Sequence, residues 1–207
     1  EAQLLDQVLC KEEPTKEVIL EAALDVIEDR AISGTRLRLI AERANLFQSN
    51  IHYYFRSKRE LLLAVQKKVL NRCIEIRSAL EQEAEDTLDA QLNVFIRQKI
   101  EFIRNLRKYD YAEIDFWVQA RSDEDIRREF KRSFQNWRSD IKDILRPHAP
   151  GAKEKELDLC AAMFVSLLEG ATLQYLIDSE AFDLDNYFDA ARDAVKARLA
   201  LICNPSI

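Results

Sequence analysis

Between Gly34 and Pro147 the chain contains neither glycine nor proline, and over all 207 residues there are only three of one and four of the other. Glycine supplies left-handed turns and proline stops helices, so a chain this poor in both can change direction only rarely. Long helices are the architecture that such a sequence permits. Apolar residues recur at three- and four-residue intervals to match: Ile19, Ala22, Ala23, Val26 and Ile27 form one stripe that ends near Arg30. Helices are expected over residues 15–30, 36–44, 48–55, 58–80, 87–107, 109–121, 123–145, 153–177 and 184–203, with stops at "RPHAPG" and "DSEAFDLD". Pro14 with Thr15 marks the first start. Gly34 is expected to take a positive φ, with Thr35 placed to cap the second helix.

A hydrophobic content of 47% beside 33% charged residues suits a globular protein with one good core or two modest ones. No run approaches the ~18 apolar residues that a membrane span needs. The acidic start "EAQLLDQVLCKEEPTK" lacks the basic flank and apolar centre of a signal peptide, so a cytoplasmic location and no membrane partner are expected. Cys10, Cys73, Cys160 and Cys203 are too widely spaced for a metal site or redox pair, and each is read as a small buried hydrophobe. With two histidines, no Gly-rich phosphate loop and no metal-ligand spacing, no catalytic residue, metal or cofactor is expected.

Charge is unevenly distributed. From Arg30 to Arg72 there are ten basic residues against two acidic ones, a net +8, which leaves −14 for the rest of a chain whose total is −6. Such a segment suits a polyanion, with the acidic remainder orienting the encounter, or is an ordinary solvated basic face; charge alone does not choose between them.

The same window holds a helix-turn-helix pattern. Leu37, Ile40, Ala41 and Ala44 line one side of a short helix, Asn45 can adopt the left-handed turn, and a third helix begins near Gln48. On that helix Ile51, Tyr54 and Phe55 share a core face, and Leu46 with Phe47 can staple the turn. Gln48, Ser49, Asn50, His52 and Tyr53 make the opposite face, with hydrogen-bonding groups suited to base edges in a major groove. Thr35, Arg36 and Lys58 flank it as candidate phosphate contacts.

Residues 35–61, "TRLRLIAERANLFQSNIHYYFRSKREL", resemble the DNA-binding signature of the TetR family of bacterial transcriptional regulators. Thr35, Ile40 with Ala41, Ala44, Tyr54 with Phe55, Ser57 with Lys58, and Leu61 carry the resemblance. Asn45 stands where the family has Gly, and Phe47 where a capping Ser or Thr is usual, which removes a phosphate-binding hydroxyl. His52 and Tyr53 exchange the usual Tyr and His.

The resemblance implies an all-α fold. An N-terminal three-helix helix-turn-helix domain, residues 1–60, would be joined by a long helix to a larger helical ligand-binding and dimerisation domain, residues 61–207. It implies a homodimer that holds a near-palindromic double-stranded operator and releases it on binding a small-molecule effector. An all-helical carrier or enzyme that never touches DNA is the competing reading.

In the family the last two helices pair across a two-fold axis. Here Ala162, Ser166 and Gly170 recur every fourth residue, and Leu184, Phe188, Ala191 and Val195 form a second stripe; packing within one chain would use the same stripes. The effector cavity that the resemblance implies is expected among Phe102, Phe116, Trp117, Phe134 and Trp137, with Asp115 or Glu169 meeting a cationic or hydrogen-bonding ligand; by spacing alone the same aromatics read as core.

Overall fold

In a computed structural model the backbone is described for residues 2–203 and the side chains for residues 14–203; Cys10 therefore falls outside the described side chains. Among the described residues there is no strand. The helices are α1 (Ala2–Gly34), α2 (Leu37–Arg43), α3 (Gln48–Tyr54), α4 (Lys58–Glu83), α5 (Leu88–Asn105), α6 (Arg107–Gln119), α7 (Glu124–Leu145), α8 (Glu154–Ile177) and α9 (Leu184–Cys203). Most starts are capped locally. Ser57, Thr87, Asp123 and Asp183 each accept from the backbone N–H three residues on, at 3.1 to 3.2 Å.

Two compact units result, residues 1–72 with 107–127 and residues 73–106 with 128–207. In the first, α1 lies against α2 and α6, and α2 against α3. Ile19, Ala23, Leu24, Ile27, Ile40, Ile51, Phe55, Leu61, Val65 and Phe116 are buried together there. A charged clasp joins three of its helices: the Glu21 carboxylate of α1 lies 2.8 Å from the Lys68 ammonium of α4 and 2.7 Å from that of Lys108 on α6, and accepts from the Tyr109 hydroxyl at 3.0 Å.

Three expectations change in this unit. Helix α1 does not start at Pro14 but runs through it; proline's fixed φ is compatible with a helix, at the cost of one hydrogen bond and crowding against the carbonyl four residues back. The left-handed residue is Ala31, at φ 56° and ψ 168°, not Gly34. At Gly34 space is tight instead, since a Cβ there would stand 3.1 Å from that of Arg30. Thr35 does not cap α2 either; its hydroxyl donates to the Ala31 carbonyl at 2.8 Å, and Arg36 occupies the N-cap position.

The second unit closes its core between α5, α8 and α9. Leu92, Phe95, Ile103, Ile141, Leu145, Leu157, Cys160, Phe164, Leu168, Leu184, Phe188, Val195 and Leu199 fill it. Contrary to expectation, α8 is apolar and long enough to cross a bilayer by composition alone, with mean hydropathy 1.5 over its richest stretch. Contacts with α5 and α9 account for its inward side. Cys160 is buried as expected, whereas Cys73 and Cys203 are only half-buried.

Candidate nucleic-acid interface

The α2–α3 turn is built around Asn45, whose φ of 55° is the left-handed value that the sharp reversal needs. Its ends are tied by Ala44 N–H to the Ile40 carbonyl and Leu46 N–H to the Ala41 carbonyl, both at 2.9 Å. Ile40, Ala41, Ile51 and Phe55 face inward. Gln48, Ser49, His52 and Tyr53 face outward and are exposed, as the face assignment required. The Gln48 amide and the His52 ring stand 3.4 Å apart, one helical turn from each other. Tyr54 is half-buried and meets Tyr53 edge-on, with ring centroids 5.0 Å apart.

Several other candidates have different surroundings. Asn50 is half-buried and its Oδ1 accepts from Phe47 N–H at 3.0 Å, so one end of its amide caps α3. Phe47 is no staple: it is 81% exposed. The Thr35 side chain is fully buried and bonded to Ala31, which withdraws it from the surface. The Lys58 ammonium points inward to the Ile32 and Thr35 carbonyls at 2.9 and 2.7 Å, tying the start of α4 to the end of α1. Arg36 is exposed and donates to the Ser33 and Thr35 carbonyls.

The basic window is partly neutralised. Arg38 pairs with Glu42, Arg43 with Asp29, Arg59 with Asp123 and Asp125, and Lys68 with Glu17 and Glu21. All but Glu42 lie outside the window, and nothing local in the sequence announces them. Beside Asp29 and Arg43 a surface cleft of about 340 Å³ opens between α1 and α2, lined also by Val26, Arg30, Leu39 and Glu42.

The effector candidates divide between the units. In the first, Phe116 is fully buried and Asp115 accepts from Ile32 N–H at 2.7 Å, holding the backbone next to the Ala31 kink. Trp117 is half-buried on the same helix. In the second, Phe102 is buried, the Phe134 and Trp137 rings stack at 6.4 Å, and Trp137 also stacks at 6.4 Å on Phe95. Glu169 is not open to a ligand cation. It lies 2.8 Å from the Lys99 ammonium, and the two side chains are 11% and 6% exposed. That ammonium also stands 5.6 Å from the centre of the Trp137 ring, a cation–π contact within the chain.

For the dimer candidates the two stripes part company. On α8 Ser166 is exposed while Ala162 and Gly170 are half-buried, and a Cβ on Gly170 would meet nothing within 4 Å. Phe188, Ala191 and Val195, with Leu184, face their own chain's core and cannot meet a partner. Among the exposed positions of α9, Ala190, Ala194, Ala197 and Leu201 form an apolar row. On α8 the surface stripe is extended by Leu159, Leu173 and Ile177, all exposed.

Residues 19–65 match the family described as bacterial regulatory proteins, tetR family, and residues 112–200 match the BetI-type transcriptional repressor C-terminal domain. The chain belongs to the TetR family. This TetR protein is 24% identical over 174 residues to an HTH-type transcriptional regulator of the dhlA 5′ region of Xanthobacter autotrophicus, covering 84% of one chain and 85% of the other. It is 36% identical to the RutR regulator of Escherichia coli K12 over 90 residues, which are 44% of this chain and 42% of RutR. A regulator from Saccharomonospora viridis, solved in complex with choline, superposes with a TM-score of 0.78 at 20% identity over 89% of this chain and 96% of its own. At that identity the likeness concerns the fold.

Proposed function

We propose that this TetR protein is a homodimeric, sequence-specific repressor that holds a near-palindromic operator through α3 and lets go when a small molecule binds its second unit. The observation that carries the reading is the division of α3: Ile51 closes the core while Gln48, Ser49, His52 and Tyr53 stand exposed on a rigidly turned helix inside a basic window. Major-groove base edges are what such a row of amide, hydroxyl and imidazole groups can read. A regulator of this kind works in the cytoplasm and performs no catalysis.

The effector site belongs to the second unit, around Phe134, Trp137 and the Lys99–Glu169 pair. The tethered Lys99 ammonium already occupies the carboxylate and aromatic partners that a cationic head group would need. The partner face is the exposed stripe of α8 with the alanine stripe of α9, both shallow enough for close helix approach.

The experiment is selection of bound sequences from random duplexes, followed by affinity measurement over a salt series. Wild type is expected to enrich an inverted repeat and to lose affinity steeply as salt rises. Gln48→Ala is expected to enrich a changed repeat at the position it reads. A carrier would enrich nothing, and that result removes the DNA-binding reading.

A further inference from the structure

Phe47 is the most exposed of the large apolar side chains of the first unit, at 81%, and takes no part in its buried core. The α2–α3 core is closed by Ile40, Ala41, Ile51 and Phe55. Its backbone is nonetheless held firmly, at φ −78° and ψ 151°, with its N–H fixed by Asn50. The ring therefore projects into water from a rigid turn immediately beside Gln48 and Ser49, both exposed.

A phenyl group in that position cannot donate or accept a conventional hydrogen bond, so among base edges it can recognise only an apolar group. The major groove offers one: the C5-methyl of thymine. The alternative of an apolar protein partner is disfavoured by the sequence neighbours, since Phe47 is followed directly by the exposed polar residues Gln48 and Ser49, and the other large exposed side chain of α3, Tyr53, carries a hydroxyl.

We infer that Phe47 is a specificity-determining residue that packs on a thymine methyl in each operator half-site. The inference rests on the DNA-binding reading above and adds a base preference that hydrogen bonding by Gln48 or His52 does not supply. Removing the ring removes the methyl preference while the phosphate contacts hold the protein on the duplex.

The test uses the selected operator with each thymine replaced in turn by deoxyuridine, which deletes the methyl and nothing else. Wild type is expected to lose about fourfold in affinity at one thymine per half-site, the worth of one buried methyl group. Phe47→Ala is expected to bind the thymine and deoxyuridine operators alike, and Phe47→Leu to keep part of the discrimination; circular dichroism establishes that both variants fold. Placing 5-methylcytosine at the same position of a cytosine-substituted site should recover part of the wild-type affinity and none of that of Phe47→Ala. If wild type ignores every deletion, or if Phe47→Ala keeps the full methyl sensitivity, the inference is overturned while the DNA-binding reading stands. If wild type selects no duplex, both fall.

Discussion

The Lys58 ammonium commits two of its three donors to backbone carbonyls. Burial, and after it the like charge of Arg36, hold its pKa below the usual lysine range. Arg36, by contrast, is exposed and bonded only to neutral carbonyls. The two residues, alike in sequence as candidate phosphate contacts, should therefore separate on mutation. Lys58→Met is expected to lower stability by roughly 1–3 kcal/mol, because two carbonyls lose a charged donor, and to leave the salt dependence of DNA binding nearly unchanged. Arg36→Ala is expected to leave the melting temperature alone and to reduce the slope of log affinity against log salt by about 0.9, the share of one phosphate. Thermal melts and a salt titration of both variants decide it; an unchanged melt for Lys58→Met would return that residue to the DNA surface. The distinction was not legible in the sequence, since the carbonyls that Lys58 meets belong to a kink at Ala31, and an alanine gives no sign that it will be left-handed.

Helix boundaries follow from local chemistry, and helix partners do not. Ser57, Thr87, Asp123 and Asp183 cap from within a few residues, so the expected spans 87–107, 123–145, 153–177 and 184–203 lie within about two residues of the observed ones. The clasp between α1, α4 and α6 joins side chains far apart along the chain, as the Lys99–Glu169 pair joins residues 70 positions apart, and no periodicity foretells either. Desolvation by itself would raise the Glu21 pKa, but the Lys108 and Lys68 ammonium groups outweigh it and bring the carboxyl down from 4.5 to about 2. A carboxylate with a lower pKa folded than unfolded stabilises the fold at neutral pH and loses that contribution as the pH falls. The clasp should thus be complete above about pH 4.5 and be lost as the pH falls through about 2. Denaturant unfolding of wild type is expected to weaken through this window, and Glu21→Gln, less stable at pH 7, to weaken less. Parallel curves for the two proteins across the window would show that other carboxylates set the acid response.

At the scale of the whole molecule, the phase of α9 decides which face can meet a second copy. That helix carries two apolar stripes, Leu184, Phe188, Ala191, Val195 and Leu199 on one side and Ala190, Ala194, Ala197 and Leu201 on the other. Spacing alone cannot say which is inside; the larger side chains took the core, because they remove more apolar area from water. Substitutions on the two stripes should therefore fail differently. Phe188→Ala empties a core position and is expected to cost about 3–5 kcal/mol, melting the second unit whatever its assembly state. Gly170, half-buried on the outward stripe of α8, has open space where a Cβ would stand, so a side chain there starts clear of its own chain, and Gly170→Leu gains helix propensity of roughly 0.8 kcal/mol. On the proposed partner face the same leucine would separate two close-packed helices. Sedimentation of Gly170→Leu at micromolar concentration is expected to show a folded monomer with wild-type helical content. Because a dimer holds two half-sites one DNA turn apart at once, the variant should bind the full operator little better than a single half-site. An intact dimer in Gly170→Leu would move the interface off this stripe of α8 while leaving the reading face on α3 untouched.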